Sequence, residues 1–343
     1  MHTPSPRYRT LDAWRGIAAL AVVLFHSFGR LAANEQVTAW FEPLRRVSQY
    51  GWLGVTLFFV ISGYCIADQL ERMTARGGPV SRFWLNRLLR IYPPYLAALA
   101  FAIALNVVTT PFNHLPLALA FPSGAKAWLG DLTLLHFPFD LPIHLTVSWS
   151  LAVEVGFYLV CGLGLLLPSR YFRILGFSLA AGVFLPPLPQ PLGFLNFWPH
   201  FFSGMLAYWA ILQHRNGRRA WATIAPLVLI GLVALLQAKL TDIVAVAFAG
   251  GIVALAPYDA SLAGRKPVKW LAAAGVFSYS IYLIHLPVLS KVTNFLARFV
   301  RPDSPFYPLG WCAAIVLALG ASWCFHKLVE LPSERWRHKM LKA

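Results

Sequence analysis

Three of the ionisable side chains within apolar runs of the sequence lie at a similar distance from the ends of their runs, namely His26, Glu154 and His285. Ionisable groups are costly to bury, so each of them calls for a partner or a function. Histidine exchanges a proton near neutral pH, and a lone buried carboxylate must be protonated or paired. An imidazole supported by a second ionisable group is suited to general base catalysis. These three residues are therefore our candidates for catalysis.

Polar residues accompany two of these candidates at helical spacing. Ser150 and Tyr158 stand four residues before and after Glu154, and Tyr282 stands three residues before His285. Residues three or four apart share one face of a helix. The hydroxyl groups are therefore candidates to contact a substrate or to donate hydrogen bonds to a developing oxyanion.

Arginines form a second set of candidates. Asp12 and Arg15 fall on the helix face that carries His26, since each residue turns a helix by 100°. Asp12 is therefore a further substrate or oxyanion candidate beside the hydroxyl groups. Arg87 and Arg90 share a face of a later helix. An arginine fork binds phosphate through paired hydrogen bonds, so the three arginines are candidates to hold a phosphorylated cofactor. An Asp12–Arg15 ion pair and an anchor to lipid phosphate are the simpler alternatives.

The composition excludes an ordinary soluble protein. Hydrophobic residues make up 58% of the 343 residues and charged residues only 12%, against roughly 25% charged residues in soluble domains. Disorder is excluded as well, because it requires low hydrophobicity. A transmembrane helix needs about 20 mostly apolar residues. Such runs lie near 11–29, 51–70, 91–109, 149–167, 172–186, 194–212, 220–237, 241–256, 268–289 and 309–328.

We therefore expect an all-α fold, a polytopic membrane bundle of about ten transmembrane helices in a single domain over residues 1–343. Most of the 29 Lys and Arg residues fall in alternate loops between the runs, as the positive-inside rule requires of cytoplasmic loops. We therefore expect both termini in the cytoplasm and membrane lipid around the helices. Because topology explains the excess of basic residues, we do not expect nucleic acid as a partner. Residues 110–148 are expected to cap the outer end of the bundle.

The cysteines and the other histidines are not candidates for catalysis. The four cysteines lie in separate apolar runs without Cys-x-x-Cys spacing, so neither a disulfide nor a metal site is expected. His200 stands on an otherwise apolar helix and is expected to be structural, whereas His326 is expected to be solvated. His136 and His144 belong to the expected outer cap.

Several blocks of sequence occur in a recognisable order along nearly the whole chain. They are Leu11–Ala19 with His26, Gly54–Tyr64, Arg87–Tyr95, Trp149–Glu154 with Phe157 and Tyr158, and two weaker blocks, Ser278–Pro287 and Glu330–Pro332. Together these blocks resemble the acyltransferase 3 family of integral membrane proteins.

The resemblance implies an acyl-CoA-dependent O-acyltransferase of the bacterial cytoplasmic (inner) membrane. Such an enzyme moves an acyl group, often acetyl, from cytoplasmic acyl-CoA to a hydroxyl of a carbohydrate or another envelope molecule. In the family, the first-span histidine and the arginines of an RxxR block matter for activity, and these match His26, Arg87 and Arg90. Thr56 departs from the family pattern, since many relatives have Asp there. Some relatives carry an appended SGNH hydrolase-like domain, which we do not expect here.

In this interpretation His26 is the general base, and Glu154 or His285 fixes its tautomer. The phosphates of acyl-CoA are held by Arg15, Arg87 and Arg90. A covalent acyl-histidine intermediate is the variant left open. A proton-coupled transporter or flippase of a glycan or lipid-linked sugar is the main alternative, because intramembrane His and Glu also relay protons. A scaffold or sensor without chemistry is the third. The acceptor, the acyl chain, and a homo-oligomer or separate partner protein stay open.

Overall fold

The computed structural model describes residues 8–28, 39–76, 78–114, 116–167, 169–180, 187–189 and 192–341. Every regular element within these ranges is helical. The α-helices are α1 Leu11–Ser27, α2 Glu42–Ser48, α3 Gly54–Arg76, α4 Val80–Thr109, α5 Gly124–Thr133, α6 His136–Phe139, α7 Ser148–Gly164, α8 Ser169–Ala180, α9 Trp198–Arg215, α10 Trp221–Leu236, α11 Leu240–Leu255, α12 Asp259–Ala263, α13 Lys266–Val276, α14 Ser278–Leu296, α15 Tyr307–Phe325 and α16 Leu331–Met340.

Each predicted apolar run coincides with a helix or a helix pair, although the bounds differ. The run predicted at 268–289 is divided at Phe277 into α13 and α14. The run predicted at 172–186 coincides with α8, which ends at Ala180, and 181–186 lie outside the described residues.

Among the described residues, fewer helices than runs are long and apolar enough to cross a membrane. The 4 that qualify by length and composition are Glu42–Ala75, Val80–Thr109, Leu240–Ala263 and Tyr307–Met340, and the count is 5 if α13 and α14 together form one span. Helices α7 and α10 are apolar but shorter. The chain is thus an integral membrane protein, and the part of it that the structure describes is all-helical with four to five candidate spans. The count of about ten and the cytoplasmic position of both termini stay predictions.

The chain forms two compact units, which are described separately below. The first unit contains residues 1–18, 55–84 and 153–276, and the second contains residues 19–54, 85–152 and 277–343.

The first unit is centred on α9, in which nearly every side chain from Trp198 to Ile211 is buried. Glycines let α9 approach α3 closely. A Cβ atom on Gly63 would collide with the carbonyl oxygen of Phe201, and one on Gly204 would collide with that of Val60. Small residues at facing positions bring membrane helices into backbone contact, and here they fix how α3 and α9 pack.

The start of α1 is capped by an aspartate from a distant part of the same unit. Asp259 accepts hydrogen bonds from the backbone N–H groups of Arg9 and Thr10, at 2.8 and 2.9 Å, and from the Thr10 hydroxyl at 2.9 Å. The free N–H groups at a helix start need such acceptors, and a negative charge also suits the helix dipole. This contact holds α1 to α12.

In the second unit, an aromatic cluster packs the end of α1 against α15. Phe28, Phe41 and Trp311 form a buried core there. The indole N–H of Trp311 donates to the hydroxyl of Ser27 at 2.9 Å, which satisfies its polar edge. The end of α1, where His26 stands, is therefore held in place by its neighbours.

The described residues of the predicted cap, 110–114 and 116–148, form short helices and turns in the second unit. Two tyrosines of α4 hold this segment through its backbone. The hydroxyl of Tyr92 donates to the carbonyl oxygen of Thr133 at 2.6 Å, and that of Tyr95 donates to the carbonyl oxygen of Asp131 at 2.5 Å. The segment is therefore tied to α4, and its outer location stays a prediction.

Candidate functional site

The structure brings two of the three predicted catalytic residues together in the second unit. His26 lies in the last turn of α1 and His285 lies in α14. The Nε2 atom of His285 is 3.1 Å from the Nδ1 atom of His26, and the ring centroids are 5.0 Å apart. His285 is fully buried, whereas His26 is partly exposed. A substrate can therefore reach His26 but not its partner.

Hydrogen bonds to the helix backbone fix which ring nitrogens carry protons. The Nδ1 atom of His285 lies 2.8 Å from the carbonyl oxygen of Ile281. Because a carbonyl only accepts, this Nδ1 carries a hydrogen. A charged ring is costly at so buried a position, so His285 is neutral and its Nε2 accepts.

The same reasoning then determines the tautomer of His26. Its Nδ1 faces two acceptors, the Nε2 of His285 at 3.1 Å and the carbonyl oxygen of Val22 at 3.0 Å. This Nδ1 therefore carries the hydrogen, and the neutral ring keeps its lone pair on Nε2. An imidazole in this form can accept a proton from a substrate hydroxyl.

Two of the predicted hydroxyl donors lie together beside this pair. The hydroxyls of Ser150 and Tyr282 are 2.5 Å apart, and that of Tyr282 also donates to the carbonyl oxygen of Val147 at 3.1 Å. The ring centroid of Tyr282 is 6.1 Å from that of His285. Helices α7 and α14 thus place both hydroxyls in the second unit.

Glu154 belongs to the first unit, where two hydroxyls donate to one of its oxygens. Ser62 and Tyr158 donate to Oε1 at 2.6 and 2.5 Å. Tyr158 was predicted as a donor, whereas Ser62 was missed, although it lies in the Gly54–Tyr64 block. The contact predicted between Glu154 and the imidazole of His26 stays a prediction.

The predicted phosphate-binding arginines are divided between the two units. Arg15 lies in the first unit, 3.1 Å from Asp12, and its guanidinium also donates to the sulfur of Cys65 at 3.3 Å. Asp12 and Arg15 therefore form the ion pair that was the simpler alternative. Arg87 and Arg90 lie on α4 in the second unit, and both are partly exposed. A ligand can reach them.

Other histidines occupy buried pairs. His200 lies 2.7 Å from Asp242 in the first unit, and both are buried. His326 was expected to be solvated, and this is wrong, because it is buried and lies 2.8 Å from Glu330 in a single π-helical turn, His326–Glu330. The sequence gives no sign of a π-helical turn, so this pair could not be predicted from helical spacing.

The cap contains a buried polar cluster that sequence reasoning missed. Asp131, His136 and Ser148 are buried, with the hydroxyl of Ser148 3.2 Å from Nε2 of His136 and a carboxylate oxygen of Asp131 3.8 Å from it. Burial lowers the pKa of His136 below its ordinary value of 6.5 and raises the pKa of Asp131. The cluster therefore favours neutral side chains.

Within the described residues, no group of three or more His, Cys, Asp or Glu side chains is arranged to hold a metal ion. The four cysteines, all within the described residues, are not joined in disulfides.

Comparison of the sequence with known proteins identifies a matching family and several relatives. Residues 8–327 match the sequence profile of an acyltransferase domain, that of the acyltransferase 3 family. The peptidoglycan O-acetyltransferase OatA of Listeria monocytogenes is 23% identical, over 84% of this chain and 50% of that protein. BcsY of Komagataeibacter xylinus, provisionally named a membrane-bound transacylase, is 27% identical over 86% of this chain and 76% of that protein.

The O-acetyltransferase OatA of Staphylococcus aureus is 29% identical, over 46% of this chain and 24% of that protein. The chain thus spans about half the length of the Listeria relative and less of the Staphylococcus one. No solved structure matches the chain. Because the family profile matches nearly the whole sequence, the chain belongs to the acyltransferase 3 family of membrane proteins.

Proposed function

We propose that this protein is a membrane O-acyltransferase that moves an acyl group, in the first instance acetyl, from acyl-CoA to a hydroxyl of an envelope carbohydrate. The family and the O-acetyltransferase names of its relatives support the reaction class. The observation that carries the proposal is the pair of histidines 3.1 Å apart, in which His26 presents an unprotonated Nε2.

In the proposed reaction, Nε2 of His26 takes the proton of the acceptor hydroxyl as its oxygen attacks the thioester carbonyl. A carbon–oxygen bond forms, the tetrahedral intermediate collapses, and the carbon–sulfur bond breaks. The proton on His26 then passes to the departing CoA thiolate, so atoms and charge balance. His285 holds the ring of His26 through Nδ1, and its Nε2 stabilises the imidazolium while it exists.

Stabilisation of the oxyanion requires hydrogen-bond donors close to the carbonyl. Tyr282 and Ser150 are the proposed donors in the second unit, since their hydroxyls lie beside His285. Glu154 and Tyr158 keep their proposed place in the site, with the Tyr158 hydroxyl as the other candidate donor. Removal of one such donor costs about 10²- to 10³-fold in kcat.

Acyl-CoA is a substrate with three phosphate groups, and arginine forks suit them. Arg87 and Arg90 are the proposed ligands, because they lie on one face of α4 and are partly exposed. Arg15 keeps a proposed role along the first-span face, although it is engaged with Asp12 at 3.1 Å. The donor is proposed to bind from the cytoplasm and the acceptor from the outer side of a bacterial cytoplasmic membrane.

The test is transfer by the purified protein in lipid nanodiscs, with labelled acetyl-CoA and a panel of envelope carbohydrates. The proposal predicts free CoA and an O-acetylated carbohydrate in equal amounts. A transporter or flippase would leave the thioester intact. Mass spectrometry of envelope glycans from cells with and without the protein then identifies the acceptor by its missing acetyl mass.

A further inference from the structure

A third arginine, Arg337 of α16, lies in the second unit beside the arginines of α4. Its Nη1 donates to the side-chain oxygen of Asn86 at 3.3 Å. Asn86 and Arg90 are four residues apart, so they share one face of α4. Arg87 follows Asn86 directly in α4, and Arg90 stands one turn further on. The contact with Asn86 thus brings Arg337 of α16 to the segment of α4 that carries two arginines.

The surroundings of Arg337 do not account for its burial. Only 8% of the residue is exposed, and burial of an incompletely paired charge is costly. Its nearest carboxylate, that of Glu334, is 3.8 Å away, beyond hydrogen-bond distance. Its Nε atom is buried and has no hydrogen-bond partner among the described residues. The N–H groups of the Arg337 guanidinium are therefore suited to an acceptor with several oxygen atoms.

A positive cluster of this kind fits a phosphate group. Phosphate accepts several charge-assisted hydrogen bonds at once and offsets the repulsion among the guanidinium groups. Asn86, Arg87 and Arg90 are partly exposed, so a ligand can enter from their side and reach the buried Arg337.

We propose that Arg337 joins Arg87 and Arg90 to form a three-arginine site for the phosphate groups of the acyl-CoA donor. The identity of the donor rests on the proposed function. The same phosphate chemistry is also offered by anionic lipid headgroups, and the experiment below separates the two sources.

The experiment measures equilibrium binding of CoA and of pantetheine, which lacks the phosphate groups of CoA, to full-length protein in phosphatidylcholine nanodiscs. Arg337→Gln is expected to weaken CoA binding about tenfold, equal to about 1.4 kcal/mol, and to leave pantetheine binding unchanged. Arg335→Gln is the matched control, because it removes the same charge from an exposed position of the same helix. Arg337→Lys, which keeps the charge and loses the fork, is expected to lie between.

The outcomes separate the hypotheses. Equal CoA binding by wild type and Arg337→Gln overturns the inference. So does a loss of stabilisation by phosphatidylglycerol in that variant while CoA binding is unchanged, which would assign the site to lipid. If Arg337→Gln loses pantetheine binding as well, that variant has a structural defect, and Arg337→Lys decides instead. CoA binding by Arg337→Lys at the wild-type level would then also contradict the site. Acetyl transfer by a wild-type protein that does not bind CoA overturns the inference and leaves O-acyl transfer standing.

Discussion

At the scale of single residues, the central feature is that each imidazole of the pair bonds to the carbonyl four residues before it in its own helix. His26 bonds to Val22 at 3.0 Å and His285 bonds to Ile281 at 2.8 Å. These bonds orient both rings before any substrate binds. Preorganised groups need no reorganisation during reaction, which is a large part of enzymatic rate enhancement.

His285 is a positioning residue in this account, and its replacement should disturb the tautomer of His26. We expect His285→Phe to lower kcat about 10- to 100-fold with little change in KM, since it acts through His26 rather than on substrate. Nitrogen NMR of histidine-labelled protein should show unprotonated Nε2 at His26 in wild type and a mixture of tautomers in the variant. A merely structural role would lower kcat through loss of folded protein and leave the tautomer of His26 unchanged.

A Glu154→Gln variant separates a catalytic role of Glu154 from a structural one. Gln keeps a carbonyl oxygen that accepts the hydrogen bonds of Ser62 and Tyr158, now 2.6 and 2.5 Å from Oε1. Glu154→Gln is therefore expected to fold normally and to lose at least about tenfold in acetyl transfer, because the carboxylate charge is gone. Full activity in a folded Glu154→Gln protein would remove this residue from the catalytic set.

The types of the site residues were predictable, but many of their partners were not. His26 and His285 stand out because ionisable side chains are rare in apolar runs. Ser62 and Arg337 were missed because a serine in a helix or an arginine in a basic terminal segment is common. Their significance depends on which helices touch, and a single sequence does not report that contact.

At the scale of elements, glycines decide how closely helices approach. Gly63→Ala should destabilise the protein by about 1 to 3 kcal/mol, as overpacking does, because the new Cβ meets the backbone of Phe201, which cannot rotate away. Gly250→Ala is the control, since nothing lies within 4 Å of a Cβ at that helical position. Thermal unfolding in detergent measures both, and equal stability of the two variants would contradict the described packing of α3 against α9.

The cap offers a prediction on pH. Burial lowers the pKa of His136 below 6.5, so between its folded-state pKa and 6.5 the unfolded chain binds more protons than the folded one. Stability contributed by neutral His136 is therefore lost as pH falls below 6.5. Burial raises the pKa of the Asp131 carboxyl, which faces His136, above its ordinary value of 3.8. The stability that the protonated carboxyl contributes is therefore lost as pH rises above 3.8.

Thermal unfolding between pH 7.5 and 5.5 should therefore show a shallower fall in stability for His136→Asn than for wild type. The exposed His338→Asn variant should follow wild type. Parallel curves for wild type and His136→Asn would show that the cap cluster does not titrate as described.

Helices were predictable from the sequence, whereas their ends and breaks were less so. Every apolar run corresponds to helix, because continuous apolar stretches of this length have few other folds in lipid. Helix α4 begins at Val80, well before the predicted run at 91–109, since the intervening arginines and leucines also favour helix. Gly275 stands two residues before the break at Phe277, but glycines such as Gly250 also lie within unbroken helices, so the break could not be predicted from the glycine.

At the scale of the whole molecule, the family assignment and the site support one reaction class. The relatives named O-acetyltransferases are matched over 50% and 24% of their lengths, so their substrates are proposals for this chain. In the proposed reaction, the thioester supplies the acyl group and the driving force, and the protein has only to exchange one proton and stabilise one oxyanion. An imidazole pair with nearby hydroxyls is sufficient chemistry for both.

A covalent acyl-histidine would change the kinetic order. Direct transfer predicts intersecting lines when acetyl-CoA and carbohydrate are varied together, because both must be bound at once. An acyl-enzyme predicts parallel lines and release of CoA before the carbohydrate is added. We expect intersecting lines, since one basic nitrogen on His26 is enough to serve the direct path.

The measurement that tests the central claim most directly is acetyl transfer from labelled acetyl-CoA by wild type, His26→Ala and His214→Ala in nanodiscs. His214 is an exposed histidine of α9 and serves as the matched control. We expect full activity for His214→Ala and a loss of about 10²- to 10⁴-fold for His26→Ala, as expected for removal of a general base, with both variants folded. Transfer by folded His26→Ala at the wild-type rate would contradict a catalytic role for His26.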